Sequence, residues 1–361
     1  MPLLRRANPG SGAGLQALRA GGRAGIRVAE DQLAGSLLGQ ALGDALGFVV
    51  ESEPPEMARA YVDDWLRAGR AEQRSHSQFP FGQYTDDTQF ARELLRSFED
   101  RGGWDPAAFA TRLSQLFREG QDVGAGWGTR SAALRLSAGT HWSRSGTPSP
   151  YAGNGSAMRA CQLGLLFPDP ANTRRVACEQ SRITHLDSRC AAGAVAVARA
   201  ASLAAARGPT HAADFLEDIA AAADPEDASV AAAIRALAGW APLEPAAAAR
   251  QVHESGLDPG HSRWQGISAF VTPSVCWSLY AFLRSPDDYW ETICTAIAVG
   301  GDTDTMAAIA GAISGARLGL EALPQALLPR LTDRGTWGAE ALIRLARSCA
   351  GVASAADGHR G

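Results

Sequence analysis

Residues 31–50 read DQLAGSLLGQALGDALGFVV, and two interleaved stripes in this stretch decide the fold. Leu33, Leu37, Leu38, Ala41, Leu42, Ala45 and Leu46 recur at three- and four-residue spacing, which lines up one face of a helix. Gly35, Gly39, Gly43 and Gly47 form a second stripe at spacing four. Small side chains in that register let another helix approach closely. A helix that is apolar on one side and stripped of side chains on the other must be packed against neighbours of its own kind.

Working outward, the same periodicity predicts helices over residues 87–98, 106–117, 156–166, 172–181, 188–206, 212–223, 229–237, 273–283, 287–299, 305–318 and 338–350. Asp105-Pro106 and Ser285-Pro286-Asp287 supply start signals, with a capping residue ahead of the first turn. No convincing period-2 strand and no βα alternation appears, so a Rossmann sheet is disfavoured. The expectation is an all-α protein with one helical domain over residues 31–350. Residues 1–30, rich in Gly, Ala and Arg, read as a flexible leader, and residues 351–361 as a flexible tail. Residues 121–128, 140–155 and 255–266 stand out as long Gly-, Ser- and Trp-rich connections, where function tends to reside in a compact helical domain.

Composition narrows the function. Of 34 basic and 38 acidic residues in the 361, five arginines and one acid fall in the first thirty, so the remainder is acidic, at −8. That argues against an extended nucleic-acid surface. All the basic residues are arginine, which excludes a Schiff-base lysine and a P-loop. The six cysteines are widely spaced and form no CxxC pair, as expected of small apolar residues in a reduced interior. The N-terminus shows no signal-type apolar run, and the Ala-rich stretch of residues 190–206 is interrupted by Arg199, so neither secretion nor a membrane partner is expected. The cytoplasm is the expected compartment.

Two clusters carry the chemistry. Thr85-Asp86-Asp87-Thr88 stands just before a helix, and Gly300-Gly301-Asp302-Thr303-Asp304-Thr305 stands before another. The first alone reads as easily as an ordinary N-cap. Two oxygen-rich clusters at helix starts suggest a shared site for hard cations, Mg2+ or Mn2+ rather than Zn2+, because neither contains His or Cys. Gly153-Asn154-Gly155-Ser156-Ala157-Met158-Arg159 reads as a turn opening a helix, whose free amides suit phosphate or ribose oxygens. Thr184-His185-Leu186-Asp187 follows a helix, and alone its His185 is as readily structural as functional.

Taken together, these elements resemble a known family. Gly39-Gln40-Ala41-Leu42-Gly43-Asp44-Ala45-Leu46-Gly47 followed by Glu51 resembles the N-terminal signature of the ADP-ribosylglycohydrolases, which include the dinitrogenase reductase-activating glycohydrolases. The Thr-Asp-Asp-Thr, Gly-Asn-Gly-x-Ala-Met-Arg, Thr-His and Gly-Gly-Asp-x-Asp-Thr elements follow in family order. The resemblance implies an orthogonal helical bundle with a cleft holding two divalent cations, Mg2+ or Mn2+. It implies metal ligation by Thr85, Asp86, Asp87, Asp302, Asp304 and Thr305. Contacts to ADP-ribose fall on Gly153, Asn154, Gly155, Ser156, Met158 and His185. Met158 also reads as core filler and Arg159 as an ion-pair anchor. Glu51 matches the acid that approaches the scissile linkage, and Asp44 reads as a buttress. Tyr151-Ala152 stands where several relatives carry a Ser-Tyr-Gly approach, a departure on the adenosine side.

The implied activity is hydrolysis at C1″ of ADP-ribose on a modified target, either an ADP-ribosylated protein or a small ADP-ribosyl compound, with no extended nucleic acid. Arginine-linked ADP-ribose is favoured, since Glu51, Glu53, Glu56, Asp63 and Asp64 could form an acidic rim for a cationic leaving group. The alternatives are serine-linked, nucleobase-linked or free ADP-ribosyl substrates, or a non-catalytic ADP-ribose-binding or structural protein on the same fold.

Overall fold

The computed structural model describes the backbone of residues 12–206, 211–255 and 265–358. Among the described residues there are α-helices, short 3-10 and π turns and isolated bridges, but no strand. The helices up to the middle of the chain are α1 (Gly12–Gly47), α2 (Pro55–Tyr61), α3 (Asp86–Arg101), α4 (Pro106–Arg118), α5 (Trp127–Ser137), α6 (Leu163–Leu166) and α7 (Pro170–Thr184). They are followed by α8 (Ser188–Ala206), α9 (Ala212–Ala223), α10 (Ala228–Trp240), α11 (Pro245–Ser255), α12 (Val271–Arg284), α13 (Tyr289–Ile297), α14 (Thr303–Leu318) and α15 (Ala339–Gly358).

The glycine stripe of α1 meets α14. A Cβ at Gly35, Gly39, Gly43 or Gly47 would land on the carbonyl oxygen of Gly315, Gly311, Ala307 or Thr303 respectively, and Gly311 and Gly315 return the same constraint toward Gly39 and Gly35. Backbone lies on backbone along the whole contact. Tyr289 reinforces it from α13, its hydroxyl donating to the Gly39 carbonyl at 2.7 Å. The opposite, leucine face of α1 enters an apolar cluster with α13 and α15, while the Ala-rich α8 sits at the centre of a second cluster with α10 and α12.

Both α1, over residues 30–50, and α8 are long and apolar enough to cross a membrane, contrary to the expectation that no stretch would be. Inside this bundle they are core helices, apolar on nearly every side because neighbours surround them.

Other expectations also need correction. Helix α1 is continuous from Gly12, and α15 continues to Gly358, so helix extends into both the expected leader and the expected tail. Between Pro9 and Pro54 there is no proline to stop it, and Ala, Leu, Gln and Arg favour it despite the glycines. Residues 1–11 lie outside the described residues, as does most of the 255–266 connection. The helix expected over residues 156–166 is absent until Leu163. The amides of Ala157 and Met158 both turn back to the Asn154 carbonyl, so the apolar run there is a buried irregular turn. Helices α2, α5 and α11 were not anticipated.

Candidate functional site

The C-terminal end of α1, the starts of α3 and α14, and residues 151–158 close around a cavity of about 120 Å³. Glu51, Asp86, Asp87, Asp302, Asp304 and Thr305 line it, together with Gly153, Asn154, Gly155, Met158 and His185. Eleven of the thirteen residues nominated from sequence therefore share one surface, across more than 250 positions of chain.

Asp44 explains the geometry of the first wall. Its Oδ1 accepts from the Thr85 amide at 2.9 Å and is 3.0 Å from the Thr85 hydroxyl; its Oδ2 accepts from the Thr88 amide at 3.0 Å and the Thr88 hydroxyl at 2.6 Å. A carboxylate from α1 thus caps α3, which leaves Asp86 and Asp87 free of that duty. Gln40, one turn earlier, donates to the Asp87 carbonyl at 2.8 Å and the Met158 carbonyl at 3.0 Å, joining α1 to two walls at once.

The second wall is set by backbone. Gly300 and Gly301 adopt φ of 75° and 83°, a region that favours glycine. Ser52 donates to the Gly301 carbonyl at 2.7 Å, Gly301 to the Glu53 carbonyl at 3.0 Å, and Asp302 to the Ile267 carbonyl at 2.8 Å. Thr303 donates to the Gly47 carbonyl at 2.8 Å, closing the end of α1. Asp302 occupies the N-cap position of α14 without capping it, and its Oδ2 accepts from the side-chain Nδ2 of Asn154. Thr305 reaches Asp87 Oδ2 at 3.2 Å, bringing the two walls into contact.

These carboxylates are crowded and buried. Burial raises Asp86, Asp87 and Asp304 well above the usual carboxylate range, and the neighbouring Asp44, Glu51 and Asp302 raise them further. Burial, then Asp302 and Asp44, pushes Glu51 up to about 7. Oxygens of Glu51, Asp302 and Asp304 lie within 4.8 Å of one another, as do oxygens of Asp44, Asp87 and Asp304. Asp87 Oδ1 is buried with no hydrogen-bond partner among the described residues. An orphaned carboxylate oxygen amid mutually repelling acids is what a hard cation would satisfy, and the donor set fits one.

Two nominated residues stand outside the cavity. The Thr85 hydroxyl is engaged with Asp44 and Asp87, and the Ser156 hydroxyl donates to the Cys190 carbonyl at 3.0 Å. Arg159 forms no ion pair among the described residues: it is fully buried, donates to Gln180 Oε1 at 2.7 Å and to the Thr184 hydroxyl at 2.8 Å, and lies 5.3 Å over the Phe109 ring. The expected anchor is therefore made of hydrogen bonds and a ring face. Gly124, Gly126, Thr129 and Ala269 line the cavity without having been nominated; the Gly-rich 121–128 connection signalled the two glycines, and nothing signalled Thr129 or Ala269. Tyr151 stacks on His185 at 5.8 Å, and the exposed Trp127 meets its edge at 5.4 Å. Tyr151 and Gly153 also line an adjoining open hollow of about 410 Å³.

The acidic segment divides. Glu51 faces the cavity, but Asp63 pairs with Arg67 at 2.8 Å beside a separate hollow of about 560 Å³ that shares no lining residue with it. The rim expected from Glu53 to Asp64 is not assembled around the cleft.

Against this geometry, residues 27–357 match the family model described as ADP-ribosylglycohydrolase. The chain belongs to the ADP-ribosylglycohydrolase family. A protein of Archaeoglobus fulgidus described only as uncharacterized is 31% identical over 70% of this chain and 77% of its own length. ADP-ribosylhydrolase ARH3 of Homo sapiens is 27% identical over 67% of this chain and 72% of its own, and that of Bos taurus 28% over 67% and 72%. A solved chain titled as an ADP-ribosylglycohydrolase-related protein complex matches with a TM-score of 0.61 and 27% identity, over 91% of this chain and 99% of that one. Among the described residues of this ADP-ribosylglycohydrolase, helices build the scaffold without a strand.

Proposed function

We propose that this ADP-ribosylglycohydrolase hydrolyses the glycosidic bond at C1″ of ADP-ribose on a modified target, and that its acidic cavity holds two divalent cations, Mg2+ or Mn2+. The observation that carries this reading is the pair of carboxylate triads sharing Asp304, whose members other than the α3-capping Asp44 face the same cavity as the 153–155 turn and His185. Bound there, the cations would orient ribose hydroxyls and hold a water. Asp86, Asp87, Asp302 and Asp304 would hold them, with Thr305 supplying a hydroxyl.

The chain's own groups account for the rest. The cavity is too small for the whole of ADP-ribose, so the distal ribose belongs in it and the adenosine end in the adjoining hollow, past Tyr151 and Gly153. The amides of Gly155 and Ser156 donate to no carbonyl among the described residues and are available to ligand oxygens. During cleavage the C1″ bond to the target breaks with its electron pair leaving on the target atom. A water oxygen bonds to C1″, and Glu51 takes that water's proton.

Arginine-linked ADP-ribose is the proposed linkage. No arginine lines the cavity, and burial together with Arg159 lowers His185 to about 3, so it is neutral. Six carboxylates, from Asp44, Glu51, Asp86, Asp87, Asp302 and Asp304, exceed the charge of two divalent cations, which favours a cationic leaving group. The cytoplasm is the proposed compartment, in keeping with six buried, unpaired cysteines.

The test is an assay of the purified protein against arginine-, serine- and nucleobase-linked ADP-ribose, with and without chelator. Cleavage that vanishes with the metal and returns on adding Mg2+ or Mn2+ is expected, fastest on the arginine linkage. Full activity after confirmed metal removal overturns the cation site, a serine preference of about tenfold overturns the linkage, and binding without turnover points to a non-catalytic ADP-ribose-binding protein.

A further inference from the structure

Behind the cavity wall runs a chain of buried polar groups: Arg159, Thr184 and His185. The Arg159 guanidinium donates to the Thr184 hydroxyl oxygen at 2.8 Å, and that oxygen lies 2.8 Å from His185 Nδ1. Arginine only donates. The Thr184 hydroxyl proton, fully buried, has no acceptor among the described residues other than Nδ1. Leaving a buried hydroxyl proton unpaired is costly, so it goes to Nδ1, and Nδ1 must carry a lone pair. A neutral imidazole with Nδ1 as acceptor has its proton on Nε2.

We propose that Arg159 and Thr184 act as positioning residues that lock His185 in its Nε2–H tautomer, so that the imidazole presents a hydrogen-bond donor to an oxygen of the bound ligand, a ribose hydroxyl or a phosphoryl oxygen. The inference rests on the reading of the cavity as an ADP-ribose site. The Nε2 edge lies against the two glycines of the turn: a Cβ on Gly153 would stand 3.2 Å from Nε2, and one on Gly155 would stand 3.0 Å from Cε1. Their missing side chains keep that edge open. Nε2 has no partner among the described residues, and the ring is held by Tyr151, nearly parallel at 18°. Arg159 has a second effect: its charge and the burial of the site both disfavour imidazolium, so His185 donates from Nε2 without carrying a charge. The Met-Arg end of the 153–159 element and the Thr-His pair are thereby one device. Gln180 fixes its far end, accepting from Arg159 Nε at 2.7 Å while donating to the Ser156 carbonyl at 2.9 Å.

Long-range 1H–15N correlation spectra of the full-length 15N-labelled protein read which imidazole nitrogen of His185 bears the proton. The expected result near neutral pH is Nε2–H, unchanged on adding chelator. Thr184→Val removes the hydroxyl at nearly constant volume. It is expected to release the ring to a tautomer mixture and weaken ADP-ribose binding about tenfold, the scale of one hydrogen bond. Thr184→Ser should restore both. A proton on Nδ1 or an imidazolium in the wild type overturns the proposal, as does a Thr184→Val spectrum identical to wild type. Should Thr184→Val fail to fold, the wild-type and Thr184→Ser spectra still decide it. The expected tautomer in a protein that binds no ADP-ribose would support the lock while refuting the functional reading, so the two failures stay distinguishable.

Discussion

The starts of α3 and α14 carry nearly the same residues and are held in opposite ways. At α3 the amides and hydroxyls of Thr85 and Thr88 turn to the single carboxylate of Asp44, while the Asp86 amide donates to the Val123 carbonyl and the Asp87 amide to the Thr85 hydroxyl. At α14 the N-cap Asp302 makes no capping bond; glycine backbone at positive φ, pinned by Ser52, Glu53 and Ile267, sets the turn. An Asp beside a helix N-terminus would ordinarily spend itself on capping. Asp86, Asp87 and Asp302 are relieved of that task, by a remote side chain at one start and by backbone at the other, while Asp304 still takes the Thr305 amide at 2.9 Å. What the two starts share is acid freed to face the cavity.

The most damaging change should be one that parts the two starts. Gly43→Leu would drive a side chain into the Ala307 carbonyl and lever α14 off α1. It should cost about 3 kcal/mol or more, a large share of the ~5–15 kcal/mol of a typical domain, and thermal melting with soluble yield reads it. Asp86→Asn and Asp302→Asn each injure one start and leave the other. Both should lower metal affinity and turnover by more than about 100-fold with the helical circular dichroism retained. If only one did so, the site would be mononuclear.

Glu51→Gln keeps an oxygen that can ligate but cannot take a proton. Turnover should fall by roughly 10²-fold with ADP-ribose affinity nearly unchanged, which separates proton transfer from ligation. Asp44→Asn should lower stability by about 1–2 kcal/mol, the scale of an N-cap, and act on α3 alone. Hydrogen exchange should then show fraying at residues 85–88 and none at 303–305.

The smallest effect is a slope. In the metal-free protein, Asp44 and Glu51 are raised to about 7, and Asp86, Asp87 and Asp304 are also raised, so the folded state binds more protons than the unfolded chain. Their contribution is fully present below the ordinary carboxylate range near 4 and is lost as pH rises through about 7. Melting temperature in chelator should therefore fall from pH 5 to pH 8. With saturating Mg2+ or Mn2+ it should rise over the same interval, because the cation holds the carboxylates ionised. Parallel slopes would mean that no cation is held by these groups.

The helices with one continuous apolar stripe were legible: α4 and α9 fall within a residue of where their periodicity marked them. Helix α5 was not, because Trp127 and Leu134 point to solvent and blur its apolar face. The run at residues 156–166 erred the other way, since burial on all sides looks alike in a helix and in a compact turn. Glycine spacing announced that α1 would have a close partner, yet nothing in α1 named α14. Within the site, the acids were found through motifs, and Asp44 was read as a buttress; which helix it supports was not legible, because a cap delivered from a remote helix leaves no local pattern. Arg159 was marked as structural, but its partners, Gln180 and Thr184, are set by tertiary packing.

The bond from Thr303 to the Gly47 carbonyl spans 256 positions of the chain. During synthesis the first wall of the cleft emerges early and waits, its aspartates crowded and the bare flank of α1 turned to water, until nearly the last helices leave the ribosome. Contacts of such sequence separation form slowly. A nascent chain cut short before residue 303 thus holds only one wall of the acidic cavity, and the exposed glycine flank is the surface a chaperone would have to shield in the interval.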